Sequence, residues 1–311
     1  MAYINGGTIS ATDYNGLAQT NTANVAWVWG VGFGANGYGQ STTGISTLST
    51  GTVVTATQWA GLFNIINRCL GHQGQTQLMG GGNINAVAGA VITYWSNVSS
   101  SVTTINNNAA GFGSQGGTTT GTNDATNPTA AATVALNYFR DVNVTFSSAN
   151  AARYFFNAGG QINFVCSATD NAGTSRSTTL RDMINQVGGL SAFRNNQNGG
   201  RSGTGGTIVA NVTTFGYRSL TASAQTVVDN NVAGVYSAHD VKIQLFTNSL
   251  DTTNGARGAS VVFRLLISAA ADDTFGGSIN LTVNVRADVV APETTYLTNV
   301  WGTPTITFDS T

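Results

Sequence analysis

The side chains able to do chemistry in this chain are few, and none lies at a spacing that catalysis or metal binding requires. His72 and His239 are the only histidines. A serine or threonine nucleophile would need one of them as its base, and no Gly-x-Ser-x-Gly elbow marks a strand-to-helix turn. His72, in Leu70-Gly71-His72-Gln73-Gly74, follows the end of a predicted helix, where an imidazole bonded to a last carbonyl is at home. His239 reads as a turn residue leading into a strand rather than as a base paired with Asp240. A structural zinc wants four Cys or His ligands at short spacings; here two of each are scattered along the chain. Asp272-Asp273 is the only adjacent carboxylate pair, with Asp170, Asp251 and Asp288 isolated, and it reads as a solvated turn rather than a calcium site. Glu293 is the only glutamate and follows a proline, so a glycosidase pair would have to come from aspartates that no motif marks. No catalytic residue, metal ligand or cofactor is expected.

The segment Trp27-Val28-Trp29-Gly30-Val31-Gly32-Phe33-Gly34-Ala35-Asn36-Gly37-Tyr38-Gly39-Gln40 alternates glycines with aromatics. A phosphate-binding glycine loop needs a buried strand before it and a helix after it, whereas Ser-Thr-Thr-Gly follows this one. Nucleotide binding is therefore not expected. Trp27, Trp29, Phe33 and Tyr38 are the residue types that stack on sugar faces, so a glycan platform is weighed against plain packing in a glycine-rich module. Packing is the heavier reading.

Only 8% of the 311 residues are charged while 41% are hydrophobic, against roughly 25% charged in ordinary domains. Gly, Ser, Thr, Asn and Gln replace the ions, and they are cheaper to desolvate. A free monomer usually coats itself with charge, so this composition predicts a surface covered largely by copies of itself. Lys242 is the only lysine, and a net charge of −1 without a basic run argues against nucleic acid. No stretch approaches the roughly 20 apolar residues of a membrane span. The opening Met-Ala-Tyr-Ile-Asn-Gly-Gly lacks signal-peptide character, which predicts a product made in a cytosol. Cys69 and Cys166 read as buried thiols, with a disulfide between them left open.

These groups must be positioned by two kinds of element. Ile9-Ser10-Ala11-Thr12-Asp13-Tyr14-Asn15-Gly16-Leu17 repeats as Val54-Thr55-Ala56-Thr57-Gln58-Trp59-Ala60-Gly61-Leu62, 45 residues on. Each copy predicts a hydroxyl-capped helix, with Ser10 and Thr55 as caps and Thr12 and Thr57 as alternatives. Trp59, Leu62, Phe63, Ile66 and Leu70 trace one helix face that must pack on the first copy or on another subunit, and Gly71 is the expected left-handed stop. Residues 75–133, with an apolar helix or strand near Val91–Trp95, read as an irregular linker holding the boundary near residue 125. Beyond it, alternation predicts strands at 142–146, 162–165, 241–245 and 279–286, a central strand at 261–267 and another at 208–212. One helix, 178–187, starts on a hydroxyl and stops at Gly188-Gly189. The expected fold is mainly β: an antiparallel β-sandwich over 134–311 with one helix, preceded by a small α+β repeat module over 1–74.

Asp13-Tyr14-Asn15-Gly16-Leu17, Gly37-Tyr38-Gly39-Gln40, Thr55–Leu62 and His72-Gln73-Gly74 together resemble the N-terminal module of virion structural proteins of marine tailed phages, notably cyanophages. Val144–Ile162, containing Arg153-Tyr154-Phe155-Phe156-Asn157, is similar to a second signature of those proteins, and Tyr236–Asp240 to a weaker third. The resemblance implies a particle component of tail, neck or baseplate, made in the host cytoplasm and present in symmetric copies. Its partners would be sister subunits, other virion proteins and a host surface glycan, with no nucleic acid and no membrane insertion. The second signature reads as a strand ending at Ser147, a tight turn carrying Arg153 and three aromatics, and a Gly-Gly reversal; it would lock the fold internally or dock a subunit, the former preferred. Candidate assembly residues are Tyr14, Leu17, Trp27, Trp29, Phe33, Tyr38, Trp59, Phe63, Arg153, Tyr154, Phe155 and Phe156. Rival readings are a receptor- or glycan-binding fibre, a capsid decoration protein, and an envelope depolymerase using His72, His239, Asp272 and Asp273.

Overall fold

A computed structural model describes residues 9–19, 24–81, 95–205, 207–208, 214–271 and 277–310. The expected features at Met1–Gly7, Val91–Tyr94, 209–212 and Asp272-Asp273 lie outside them. The chain divides into two units: one of Met1–Gly117, Arg153–Gly159 and Pro292–Trp301, the other of Thr118–Ala152, Gly160–Ala291 and Gly302–Thr311.

The first unit is helical. The two copies of the repeat become α1 (Ala11–Ala18) and α3 (Ala56–His72), each opening on a complete capping box. Ser10 and Thr55 accept the backbone N–H of Asp13 and Gln58, whose side chains reach back to the cap. Such reciprocal satisfaction of otherwise orphaned donors explains why the pattern recurs in register. Between the copies lies α2 (Val25–Trp29), and α4 (Trp95–Asn107) follows. The predicted face of α3 is buried, but α3 packs chiefly on α4 and on the turn Thr43–Ile45, with α2 next, rather than on α1. Gly71 does not end α3. The helix runs to His72, the left-handed residue is Gly74 (φ 67°), and Gly71 is bare so that the Tyr296 ring can lie on it.

The second unit holds two antiparallel sheets. In one, the order is β1 (Gln115–Thr119), β11 (Ile279–Pro292), β5 (Gln161–Asp170), β6 (Gly189–Phe193), with β2 (Asp124–Thr126) and β3 (Thr129–Ala130) also on β11. In the other it is β12 (Thr305–Ser310), β4 (Leu136–Thr145), β10 (Ser260–Ala269), β9 (Asp240–Phe246), β8 (Gln225–Asn231), β7 (Thr207–Ile208). β10, the most apolar run, is central as expected. Phe263 of β10 stacks on Phe164 of β5 at 5.3 Å and meets Phe193 of β6 edge-on at 5.6 Å, so rings from both sheets share one core.

Of the described residues 30% are in strands and 28% in helices, more helix than expected, and two differences account for this. The stretch 75–133 contains α4 and β1 to β3 rather than only irregular chain. The second signature is not a tight turn: α5 (Ala149–Asn157) replaces it, because Ser148 caps Ala151 N–H at 3.0 Å and Ala151, Ala152, Phe155 and Phe156 bury one helical face. The predicted helix at 178–187 is α6 (Ser175–Val187), starting earlier on Thr174 and ending on a glycine as expected, here left-handed Gly188. Among the described residues, no helix is long and apolar enough to cross a membrane.

Candidate functional site

The best-built site lies in the helical unit, where the glycine–aromatic loop is braced from within. Tyr38, Gly39 and Gln40 donate their N–H groups to the carbonyls of Val28, Gly30 and Trp29, closing the base of a loop over 30–37. Inside it sits Arg153 of α5, fully buried, whose Nη1 and Nη2 donate to the carbonyls of Asn36 (2.8 Å) and Val31 (2.6 Å). One turn on, the amide nitrogen of Asn157 lies within 3.1 Å of the carbonyls of Gly34, Asn36 and Gly37. Gly37 adopts φ 98°, and a Cβ there would fall 2.2 Å from the Val31 oxygen. The inward-facing groups are acceptors around a cation, the reverse of the N–H cradle of a phosphate loop. The Arg153 guanidinium also lies over the Tyr154 ring at 4.7 Å.

This brace aims the loop tip outward. Phe33 and Val31 are 55% and 53% exposed, large values for such side chains in a loop fixed from beneath. Of the expected assembly residues, Phe33 is the one that stands open. Tyr14, Leu17, Trp29, Tyr38, Trp59, Phe63, Arg153, Phe155 and Phe156 are buried by their own chain, and Trp27 and Tyr154 are half-buried. The four-ring sugar platform is not formed, because Trp29 turns its ring N–H to Ser41 O and Tyr38 its hydroxyl to Ala109 O.

A second cluster bolts the returning segment 292–301 onto the same unit. His72, without exposed surface, donates Nδ1–H to Glu293 Oε1 at 2.8 Å. The other Glu293 oxygen accepts the N–H groups of Thr295 and Tyr296. Gln40 exchanges two bonds with the Thr298 backbone, Arg68 donates to Tyr296 O, and Leu297 and Trp301 are buried. Tyr38 meets the His72 ring edge-on at 4.7 Å and accepts from Gln73. A carboxylate orienting an imidazole is a catalytic motif elsewhere, but here the ring has no face open to a substrate. Burial pushes the Tyr38 and Cys69 groups far up. Sequence reasoning missed Asn157, Gln40 and the partnership of His72 with Glu293. The one available signal was that this chain keeps a single glutamate.

Burial alone would raise the Glu293 carboxyl, yet the bond from His72 and the N–H groups of Tyr296 and Thr295 outweigh it, so the group lies below its ordinary value. A depressed folded pKa gives stability that is present above the unfolded value, near 4.3, and is lost as pH falls through the folded one. Glu293→Gln should therefore cost about 2 kcal/mol at pH 7 and progressively less in acid. Urea titrations of both proteins from pH 7 to pH 3 check this, and a gap independent of pH would contradict it.

The remaining candidates serve the strand unit. His239 leads into β9 as predicted, with its ring 4.9 Å from Tyr236. Asp240 turns instead to Lys242, at 2.5 Å, which also faces Asp229 at 3.4 Å. Burial and the bond to Asp229 raise the Asp240 carboxyl. Asp170 is drawn down to about 2: burial opposes this, but Ser177, Thr178 and the N–H groups of Ala172 and Gly173 prevail. Cys69 and Cys166 are buried free thiols, the latter pushed up to about 12 by burial. Among the described residues, no three His, Cys, Asp or Glu side chains converge as metal ligands would. Compared with known protein families, with curated proteins and with solved structures, the chain matches none.

Proposed function

We propose that the chain is a non-enzymatic structural component of a tailed-phage virion, in the tail, neck or baseplate, assembling as a homo-oligomer. Its two sheets are read as the halves of a β-sandwich, and its helical unit as the part that attaches to the particle. The observation that carries the assembly reading is the braced tip. A buried arginine and a buried asparagine together hold four loop carbonyls, and the result of that rigidity is an apolar pair, Val31 and Phe33, presented to solvent. A pre-ordered apolar anchor loses little entropy on docking, which is what a repeated subunit contact needs. The scarcity of charge supports the same reading, and the likeness of Val144–Ile162 and of the repeat to phage virion proteins supplies the particle. The reading entails Phe33→Asp as its test: sedimentation should show assembly weakened by about tenfold or more while circular dichroism is unchanged. A variant that assembles like the parent would remove the tip from the account.

A further inference from the structure

The basic side chains of this chain are nearly all neutralised or bonded within it. Arg140, Arg181, Arg264 and Arg286 pair with Asp124, Asp182, Asp141 and Asp288, and Lys242 with Asp229 and Asp240. Arg153 binds loop carbonyls, Arg176 those of Ala131, Ala132, Val134, Ala270 and Gly277, and Arg68 lies over Trp29. Arg218 and Arg257 differ: among the described residues neither guanidinium meets a carboxylate or another acceptor, and of the remaining arginines Arg201 also keeps a buried Nη1 without a partner there. Hydrogen bonds of Tyr217 bring the backbones of Arg218 and Arg257 together, since its hydroxyl accepts the Arg257 N–H and Arg218 is the next residue. Burial first, then the like charge of Arg257, lowers the Arg218 pKa. The carboxylate of Asp251, on the loop that carries Arg257, is turned to its own backbone and accepts from Thr253 N–H at 2.9 Å.

Their proximity is built into the backbone. Tyr217, fully buried, donates its hydroxyl to Gly258 O at 2.8 Å and accepts the Arg257 N–H at 3.0 Å. Its own N–H goes to Arg194 O, and the next N–H, that of Arg218, goes to Asn195 O at 2.9 Å. Three segments, 194–197, 216–219 and 256–258, are thus pinned together through Tyr217 and the N–H of Arg218. They lie where β9 ends at Phe246 and β10 begins at Ser260, so both arginines belong to the loops at one end of this sheet. Holding two like charges together without a counterion is unfavourable, and in a chain with so few charges it calls for an anion from outside. Guanidinium forks match tetrahedral oxyanions, and a phosphate group carries close to the two negative charges needed.

We propose that Arg218 and Arg257 form a binding site for a phosphate group at the loop end of the strand unit. The site is independent of the virion reading and of the Phe33 tip. The test uses the full chain and inorganic phosphate, followed by calorimetry at constant ionic strength with chloride as the control anion. The parent should bind, Arg218→Gln and Arg257→Gln should each bind roughly tenfold to a hundredfold more weakly, and Arg181→Gln should bind as the parent does. A second arm replaces phosphate by vesicles of an anionic phospholipid. Binding there that is lost in the same two variants supports the site and names a lipid headgroup as the source; binding to free phosphate alone supports it and excludes that source. Parent and both variants behaving alike in the two arms, or chloride competing equally, overturns the proposal. Circular dichroism of each variant separates loss of binding from loss of fold.

Discussion

Arg153→Met should destabilise the helical unit by about 3–4 kcal/mol. The substitution keeps an unbranched side chain but removes the donors to Val31 O and Asn36 O from a fully buried site, and each carbonyl left without its bond costs about 1–3 kcal/mol. Asn157 still reaches Asn36 O, so the larger loss falls on Val31 O. Contact with the Tyr154 face adds about 0.5–1 kcal/mol, partly offset because methionine is easier to bury than a cation. Arg181→Met is the matched control: Arg181 and Asp182 are half-exposed neighbours, and such pairs contribute about 0–1 kcal/mol. Denaturant unfolding of the three proteins measures the difference. Equal midpoints for Arg153→Met and the parent would mean that the brace is not what orders the loop.

A larger effect is expected from truncation. Residues 1–117 expressed alone should show no cooperative unfolding transition and collapsed amide dispersion, even though they carry the whole repeat and α1 to α4. The fragment lacks Arg153 and Asn157, so the carbonyls of Val31, Gly34, Asn36 and Gly37 lose their donors. It lacks Glu293, the partner of buried His72, and also Leu297 and Trp301, each 2% exposed in the complete unit. Several such losses together exceed the roughly 5–15 kcal/mol by which domains are stable. A fragment that melted cooperatively near the parent's temperature would show the returning segments to be dispensable. The first unit, which also takes in Arg153–Gly159 and Pro292–Trp301, thus differs from the repeat module over 1–74 expected from the sequence.

How much of this was legible follows from how local each cause is. The start and the buried face of α3 could be read, though not its end, since a capping hydroxyl and a one-sided apolar face are written within 17 residues. The strands with strict alternation, β5, β9 and β11, were visible for the same reason. β8, Gln-Thr-Val-Val-Asp-Asn-Asn, was not, because a polar sequence becomes a strand only through its pairing with β9. α5 was open to a better reading: Ala151, Ala152, Phe155 and Phe156 already carry a helical spacing. The site itself was out of reach. Arg153 and Val31 are 122 positions apart, and His72 and Glu293 are 221 apart, so no window of sequence contains either cause. Aromatic richness drew attention to this loop, and of its four rings Phe33 stands open while Trp29 and Tyr38 pack as the heavier reading expected. Trp29 and Tyr38 are large enough to be core, and the core took them.

The central claim is that this chain exists as repeated copies on a phage particle, and imaging settles it most directly. With the chain labelled in intact tailed-phage particles, the account predicts density or label at one fixed station of the tail, neck or baseplate, in copies obeying that station's symmetry. Particles devoid of the chain, with all of it recovered as a free monomer, would contradict the account.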